Sequence, residues 1–208
     1  EGEALAMLFG AELCNQPTLS DAGWQRWATL QPQSAKVRPY HDRSMLSVIA
    51  ADMVAWYGRA HFLVRRSNDG SLTTDDLGEI LDTKAFCESL GAQVLVEFDN
   101  EPNHPARQQT PEEWNHAAKD VIQAYLGSKV RLSQLVTPGL TPIVDEESWW
   151  PVLLPYYNSF GIGIGHHYYV EGEAGLTAPE WAERPFTIPT RPLWIHVTEF
   201  GDSIQAPW

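Results

Sequence analysis

The sequence predicts an α/β fold with a parallel sheet, and three observations support this prediction. Short apolar segments rich in β-branched residues alternate with longer helix-like segments along the 208 residues. Four of the helix-like segments end at or beside a glycine, the residue that best adopts the left-handed turn closing a helix. Each is followed by another apolar segment, as expected when helices connect parallel strands. Hydrophobic residues make up 43% of the chain, enough for one substantial core.

Seven segments have the apolar, β-branched composition of buried strands and are bounded by turn-forming residues. In chain order, these expected strands are Leu5–Leu13, Ala35–Tyr40, Ala60–Arg65, Gln93–Asp99, Val130–Val136, Ile162–Tyr169 and Leu193–Thr198.

Helices are expected between these strands, over Ser20–Leu30, Met45–Tyr57, Thr74–Leu90, Thr110–Leu126 and Glu147–Phe160. The fourth has the clearest start, because Thr110 precedes Pro111 and is followed three positions later by Glu113, the pattern of a capping box. The second and third end at Gly58 and Gly91. The fifth contains two prolines, so we expect it to be short or broken.

This alternation is typical of a TIM-type (β/α)8 barrel. Such barrels take roughly 250 residues, and about seven strands are visible here, so we expect a short or incomplete barrel. We expect residues 1–208 to form a single barrel domain that is catalytic. In barrels of this kind the functional side chains lie at the carboxyl ends of the strands, and those ends are therefore the place to look for a site.

The chain is acidic, with 27 Asp and Glu against 14 Lys and Arg and a formal charge of −13. Because nucleic-acid phosphates would be repelled, we expect no nucleic-acid partner; a neutral or cationic substrate suits this charge. No apolar run approaches the roughly 20 residues that span a bilayer, so no membrane segment is expected. The sequence starts at Glu1 without a signal-peptide pattern, which a cleaved leader would also produce. Secretion is compatible with this sequence, and localisation and oligomeric state stay open.

Cys14 and Cys87 are the two cysteines, 73 positions apart and without metal-type spacing. We expect two separate buried thiols. A disulfide between them is the alternative.

Two of the expected strands carry a glutamate at their carboxyl ends. The fourth runs into Asn100-Glu101-Pro102, and the seventh runs into Glu199. Since parallel strands end at the same rim of a sheet, we expect Glu101 and Glu199 to face one cleft. Glycosidic bond cleavage needs two such carboxyl groups, one to protonate the leaving oxygen and one to attack or stabilise the anomeric carbon. Carboxyl groups about 5–5.5 Å apart give retention of configuration.

Four motifs, in chain order, resemble those of retaining glycosidases with glutamates on strands four and seven. They are Lys36-Val37-Arg38-Pro39, Val-Leu-Val-Glu-Phe-Asp-Asn-Glu-Pro ending at Pro102, Gly165-His166-His167-Tyr168-Tyr169 and Val197-Thr198-Glu199-Phe200-Gly201. The sequence is most similar to glycoside hydrolase family 5, the cellulase and mannanase family, with family 39 a near alternative because of Asn-Glu-Pro-Asn. The resemblance implies a barrel that hydrolyses β-glycosidic bonds of an oligo- or polysaccharide with retention and without a cofactor.

The resemblance also implies individual roles. Glu101 would be the acid/base and Glu199 the nucleophile. Arg38 would support the nucleophile, and Asn100 would bind the sugar 2-hydroxyl.

The remaining candidates are sugar-binding residues around strand six. The His-x-Tyr motif fits either His166 with Tyr168 or His167 with Tyr169. Adjacent histidines on a strand point to opposite faces, so at most one faces the site. Trp181 lies in the long Pro- and Gly-rich segment that follows and is a candidate for stacking on a sugar ring, with a place in the core as the alternative.

Two other functions stay open at this point. One is a carbohydrate-binding barrel without turnover. The other is a metal-dependent barrel hydrolase that would use His166 or His167 together with His104, Asp99 and Glu199. No His-x-His follows the first strand and His104 lies in a loop, so we expect no metal. For Trp149 and Trp150, both a core position and a sugar subsite are open.

Overall fold

The structure is a computed structural model that describes residues 10–13, 16–66, 70–140, 148–170 and 195–202. These residues form a mixed α/β protein with parallel strands, which confirms the α/β part of the predicted fold class. The chain divides into two compact units, 1–69 with 73–98, and 70–72 with 99–208.

The first unit alternates strands with helices. In chain order its elements are β1 (Gly10–Glu12), α1 (Asp21–Leu30), β2 (Ser34–Val37), α2 (Arg43–Tyr57), β3 (His61–Arg65), α3 (Leu77–Ser89) and β4 (Gln93–Glu97). All neighbouring strands are parallel, in the order β1-β2-β3-β4. Since parallel neighbours need a crossover connection, each helix carries the chain back to the start of the next strand.

One face of this sheet forms the core of the first unit. The strand register aligns residues of β2, β3 and β4 in two rows. Six side chains make up these rows and are each exposed by 4% or less: Ala35, Val37, Phe62, Val64, Val94 and Val96. Alternate residues of a strand point to the same side, so the rows are one continuous apolar face. Fully burying a valine or phenylalanine side chain contributes roughly 1.5–3 kcal/mol.

Helix α2 shows how local chemistry sets the helix ends. Its N-cap, Asp42, accepts hydrogen bonds from the Ser44 hydroxyl and from the Ser44 and Met45 amides. These donors lower the pKa of Asp42 below its usual value, because they stabilise the carboxylate. The helix ends at Gly58 as predicted, with φ 74° and a hydrogen bond from Gly58 N–H to the Val54 carbonyl at 2.8 Å.

The second unit contains the remaining elements. After a 3-10 turn over Pro105–Arg107, these are α4 (Pro111–Gly127), β5 (Leu135–Val136), α5 (Trp150–Phe160), β6 (Ile164–Val170) and β7 (Ile195–Asp202). Strands β6 and β7 are parallel neighbours. The predicted capping box of α4 is confirmed: Thr110 Oγ1 accepts from the Glu113 amide at 3.2 Å, and Glu113 Oε2 accepts from the Thr110 amide at 2.8 Å.

Strand β6 begins beside the segment that follows β5. Val136 forms a parallel bridge with Gly163, and the Thr137 amide donates to the Gly163 carbonyl at 2.8 Å. Gly165 is buried, and its amide donates to Thr137 Oγ1 at 3.1 Å. The backbone of Gly165 therefore lies directly against residues 137–139.

Several expected boundaries were wrong. Strand β5 has two residues instead of seven, because Lys129 takes φ 66° and a 3-10 turn over Leu132–Gln134 follows. Helix α3 starts at Leu77 rather than Thr74, since Thr73 and Asp75 form a local hydrogen-bonded turn first. For the first strand, residues 5–9 lie outside the described residues.

Helix α5 was expected to be short or broken, and it is short but continuous. Pro151 sits in its first turn, where an amide has no helical partner to lose. Pro155 lies inside the helix, where proline costs roughly 3 kcal/mol. Leu153 is fully buried, and Tyr156 is 5% exposed. Packing of these side chains offsets the cost of Pro155.

Two other questions from the sequence are answered by burial. Trp149 is 4% exposed and meets Trp114 edge-on with ring centroids 6.2 Å apart, while Trp150 packs against Leu154 and Ile164, so both belong to the core. Cys87 carries a free thiol, and burial raises its pKa to about 12. Cys14 lies outside the described residues. None of the described helices combines the length and apolarity that a membrane span requires.

Candidate active site

The backbone of Glu101 is held in an unusual conformation just beyond β4. Its φ is 39°, in the left-handed region that side chains other than glycine rarely adopt. Such a residue costs on the order of 1–3 kcal/mol and persists where the surroundings hold it. The Glu101 amide donates to the Gly139 carbonyl at 3.1 Å, and the Glu101 carbonyl accepts from the His104 amide at 2.9 Å. Its side chain is half-buried.

Asp99, two residues earlier, is completely buried and has both carboxylate oxygens occupied. Arg107 Nη1 lies 2.9 Å from Oδ1, and the Trp114 indole Nε1 donates to Oδ2 at 2.7 Å. Complete burial raises the pKa of Asp99, while the Arg107 guanidinium and the Trp114 indole act in the opposite direction. Within the second unit, the Asp99 carboxyl group thus links residue 99 to Arg107 and to the first turn of α4.

Arg107 connects further groups around this tip. Its Nη1 also donates to the Asn100 carbonyl, and its Nη2 donates to the Gly70 carbonyl at 2.7 Å. The Arg107 side chain is only 4% exposed. One guanidinium therefore bonds to three separate points of the backbone and side chains of the second unit.

Asn100, between Asp99 and Glu101, has an amide group that can serve a ligand. The residue is 6% exposed, and its Oδ1 has no hydrogen-bond partner among the residues that the structure describes. A buried acceptor left unmatched costs about 1–3 kcal/mol. A ligand hydroxyl donating to this oxygen would recover that cost.

Arg38 directly follows β2 in the first unit. The Arg38 amide donates to His41 Nδ1 at 3.0 Å, and the Arg38 carbonyl accepts from the His41 amide at 3.0 Å, which forms a tight turn.

In the same unit Lys36 Nζ lies 2.9 Å from Glu97 Oε2, with side-chain exposures of 4% and 0%. The end of the sheet in this unit is therefore charged and buried.

Glu199 lies within β7 and not at its end. The expected seventh strand stopped at Thr198, whereas β7 continues to Asp202 because its pairing with β6 continues through Tyr169 with Gly201 and Val170 with Asp202. The register pairs His167 with Glu199.

The other strand-six candidates lie along the same pair of strands. Their register pairs His166 with Val197, Tyr168 with Phe200 and Tyr169 with Gly201, with a shift between His166 and His167. Trp181 lies outside the described residues.

Among the predicted site residues, the structure shows two close pairs. Asn100 and Glu101 form one hydrogen-bonded segment, and His167 and Glu199 are register partners on adjacent strands. Within the described residues, no group of three His, Cys, Asp or Glu side chains is arranged to hold a metal ion.

Two residues of this region, Arg107 and Trp114, were not identified from the sequence. The sequence contains a feature that could have indicated each of them. A buried aspartate at a strand end needs a cation, and Arg107 is the first arginine or lysine after β4. Trp114 lies in the first turn of a helix whose start is fixed by the Thr110 capping box, and a buried indole N–H needs an acceptor such as the Asp99 carboxylate.

Comparison of the chain with known protein families gives no matching family model, and comparison with the curated proteins gives no match.

Proposed function

We propose that the protein is a retaining β-glycosidase with Glu101 as acid/base and Glu199 as nucleophile. The observation that carries this proposal is the segment Asp99–Glu101. A glutamate held in a left-handed backbone, beside a nearly buried asparagine with an unmatched acceptor, is the kind of strained and incompletely bonded arrangement that functional sites keep.

The proposed fold of the whole catalytic domain is a (β/α)8-type barrel. Supporting it are the parallel order β1-β2-β3-β4 with a helix after each of the first three strands, and the second parallel pair, β6 and β7. Barrels of this type carry their reacting groups just beyond the strands, as Asn100 and Glu101 follow β4.

The proposed chemistry has two steps. In the first, the Glu199 carboxylate attacks the anomeric carbon while the Glu101 carboxylic acid protonates the departing oxygen, which gives a covalent glycosyl-enzyme and a free alcohol. In the second, Glu101 removes a proton from water, the water attacks the anomeric carbon, and Glu199 leaves as a carboxylate. Two inversions give retention, and both carboxyl groups return to their starting states.

The other roles in this proposal follow from the motif resemblance. Arg38 would help to keep the nucleophile ionised, and one of Tyr168 and Tyr169 would orient it. Asn100 would accept a hydrogen bond from the sugar, and one of His166 and His167 would bind a further hydroxyl. Trp181 would stack on a sugar ring.

The substrate class we propose is a neutral β-linked oligo- or polysaccharide. The charge of −13 disfavours polyanionic substrates, because these would be repelled over the whole surface. No cofactor is needed, since one carboxylic acid and one carboxylate are sufficient for the chemistry.

The test compares Glu101→Gln with the native chain on two aryl β-glycosides. A substrate with a poor leaving group needs protonation, so kcat should fall by about 10²–10⁴-fold in the variant. A substrate with a good leaving group needs none, so the variant should release a rapid burst of phenol and then stall, because the base for the second step is missing. Glu112→Gln, at an exposed position in the first turn of α4, is the matched control and should behave as the native chain.

Three outcomes would refute the proposal. They are native rates for Glu101→Gln on both substrates, a first-formed product of inverted anomeric configuration by proton NMR, and loss of activity on chelation with EDTA. Glu199→Gln should abolish the burst as well. Saccharide binding without any turnover by the native chain would favour a carbohydrate-binding protein instead.

A further inference from the structure

Arg107 bonds to three acceptors that lie in two chain segments of the second unit. Its guanidinium donates to the Asp99 carboxylate, to the Asn100 carbonyl and to the carbonyl of Gly70, which belongs to a segment distant in sequence. The Asn100 carbonyl is half of the peptide group that leads into Glu101. A bond to this carbonyl therefore limits rotation of the plane that precedes the Glu101 side chain.

The left-handed backbone of Glu101 needs such restraint. Without it, the glutamate would relax to an ordinary backbone conformation, and its carboxyl group would move with the backbone. Hydrogen bonds to Gly139 and from His104 restrain the Glu101 peptide groups themselves. Arg107 restrains the preceding residue, and Trp114 holds the second oxygen of the Asp99 carboxylate to which Arg107 is bonded.

We propose that Arg107 is a positioning residue that, together with Asp99 and Trp114, holds the Asn100–Glu101 peptide in the orientation needed for acid/base chemistry. The kinetic consequence of this proposal rests on the proposed glycosidase function. Only arginine can fill the role, because its planar group presents several donors in fixed directions, whereas lysine offers one point charge on a flexible stem.

The kinetic test uses Arg107→Lys, which keeps the positive charge beside Asp99 but cannot bond to all three acceptors. Because a displacement of about 1 Å can cost roughly 10²-fold in rate, we expect kcat on an unactivated aryl β-glycoside to fall about 10²-fold, with KM within about threefold. The pH dependence of kcat should also change. Arg43→Lys is the matched control, since the Arg43–Asp82 pair is exposed, with side-chain exposures of 53% and 69%, and it should leave kcat, KM and the pH profile unchanged.

A smaller perturbation guards against a folding defect in that variant. Trp114→Phe keeps an aromatic ring at this buried position and removes the indole N–H that donates to Asp99, so kcat should fall by about threefold to tenfold. If folded Arg107→Lys or folded Trp114→Phe has native kcat and a native pH profile, the proposal is overturned.

A second measurement is independent of catalysis. In Arg107→Lys the amides of Glu101 and His104 should exchange with deuterium at least about tenfold faster than in Arg43→Lys, because the bonds that protect them depend on the orientation of this segment. Equal exchange in the two variants would refute the positioning role. If the native chain hydrolyses no glycoside but these amides exchange faster, the proposed function fails while the positioning role holds.

Discussion

Replacing Lys36 by Met should destabilise the protein far more than an ordinary ion-pair deletion. Lys36 Nζ lies 2.9 Å from Glu97 Oε2, and Glu97 has no exposed surface. Attraction of two unit charges at 2.9 Å is about 6 kcal/mol at an effective dielectric constant of 20, and it opposes the cost of removing both charges from water. Without Lys36, that cost remains for Glu97. Breaking a buried pair in this way costs about 3–5 kcal/mol, a large part of a typical stability of about 5–15 kcal/mol.

The assay is urea denaturation followed by tryptophan fluorescence, with Lys84→Met as the control. Lys84 Nζ is closer to its partner, at 2.6 Å from Glu88 Oε1, but the Glu88 side chain is 39% exposed and is rehydrated when Lys84 is lost. We expect this control to lose only about 0.3–0.5 kcal/mol, as for other helical pairs. Burial, and not distance, should decide the outcome.

A double-mutant cycle completes the test. Replacing Glu97 by Leu in the Lys36→Met chain removes the buried carboxylate that has lost Lys36, so the double variant should be no less stable than Lys36→Met alone. Equal losses for Lys36→Met and Lys84→Met, or additive losses in the cycle, would refute the reasoning.

Two further predictions concern local chemistry. In a Cys14→Ser chain, Cys87 should not react with a disulfide reagent at pH 8 until urea unfolds the protein, and rapid reaction of the folded chain would contradict this. The pKa of Cys87 is about 12 in the folded chain and roughly 8.5 in the unfolded chain. The free energy of unfolding should therefore fall as the pH rises between these two values, because only the unfolded thiol loses its proton there. Thr110→Ala removes the acceptor for the Glu113 amide and should lower the free energy of unfolding, measured in urea, by about 1 kcal/mol. Ser128→Ala, at the other end of α4, should change it by no more than about 0.5 kcal/mol. Equal losses in the two variants would count against the capping box.

Features that depend on neighbours in sequence could be predicted. The start of α4 follows from Thr110 and Glu113, and the end of α2 follows from Gly58, because in each case the bonding groups lie within four residues of each other. The alternation of strands and helices predicted the α/β class, because the composition of each segment is also a local property of the sequence. Local patterns were sufficient for these elements.

Features that depend on distant partners could not be predicted. The pairing of Lys36 with Glu97 requires the register of three strands, and the bond from Arg107 to Gly70 joins positions 37 apart in sequence. The left-handed position that shortens β5 is occupied by Lys129 and not by glycine or asparagine, so the residue type does not indicate this conformation. In the candidate site, Glu101 and Asn100 were identified from their motif, but the groups that hold them were not.

The close approach of Gly165 to residues 137–139 limits how this sequence can diverge. A Cβ at position 165 would lie 2.1 Å from the Thr137 carbonyl oxygen and 2.9 Å from the Gly139 amide nitrogen, both of them backbone atoms. Any other amino acid at this position would displace residues 137–139, and the Gly139 carbonyl in that segment accepts a hydrogen bond from the Glu101 amide. In any relative that keeps this architecture, position 165 is therefore restricted to glycine, and a hydroxyl at position 137 should accompany it. These two positions, 28 residues apart, provide a filter for distant relatives that is independent of the glutamate motifs.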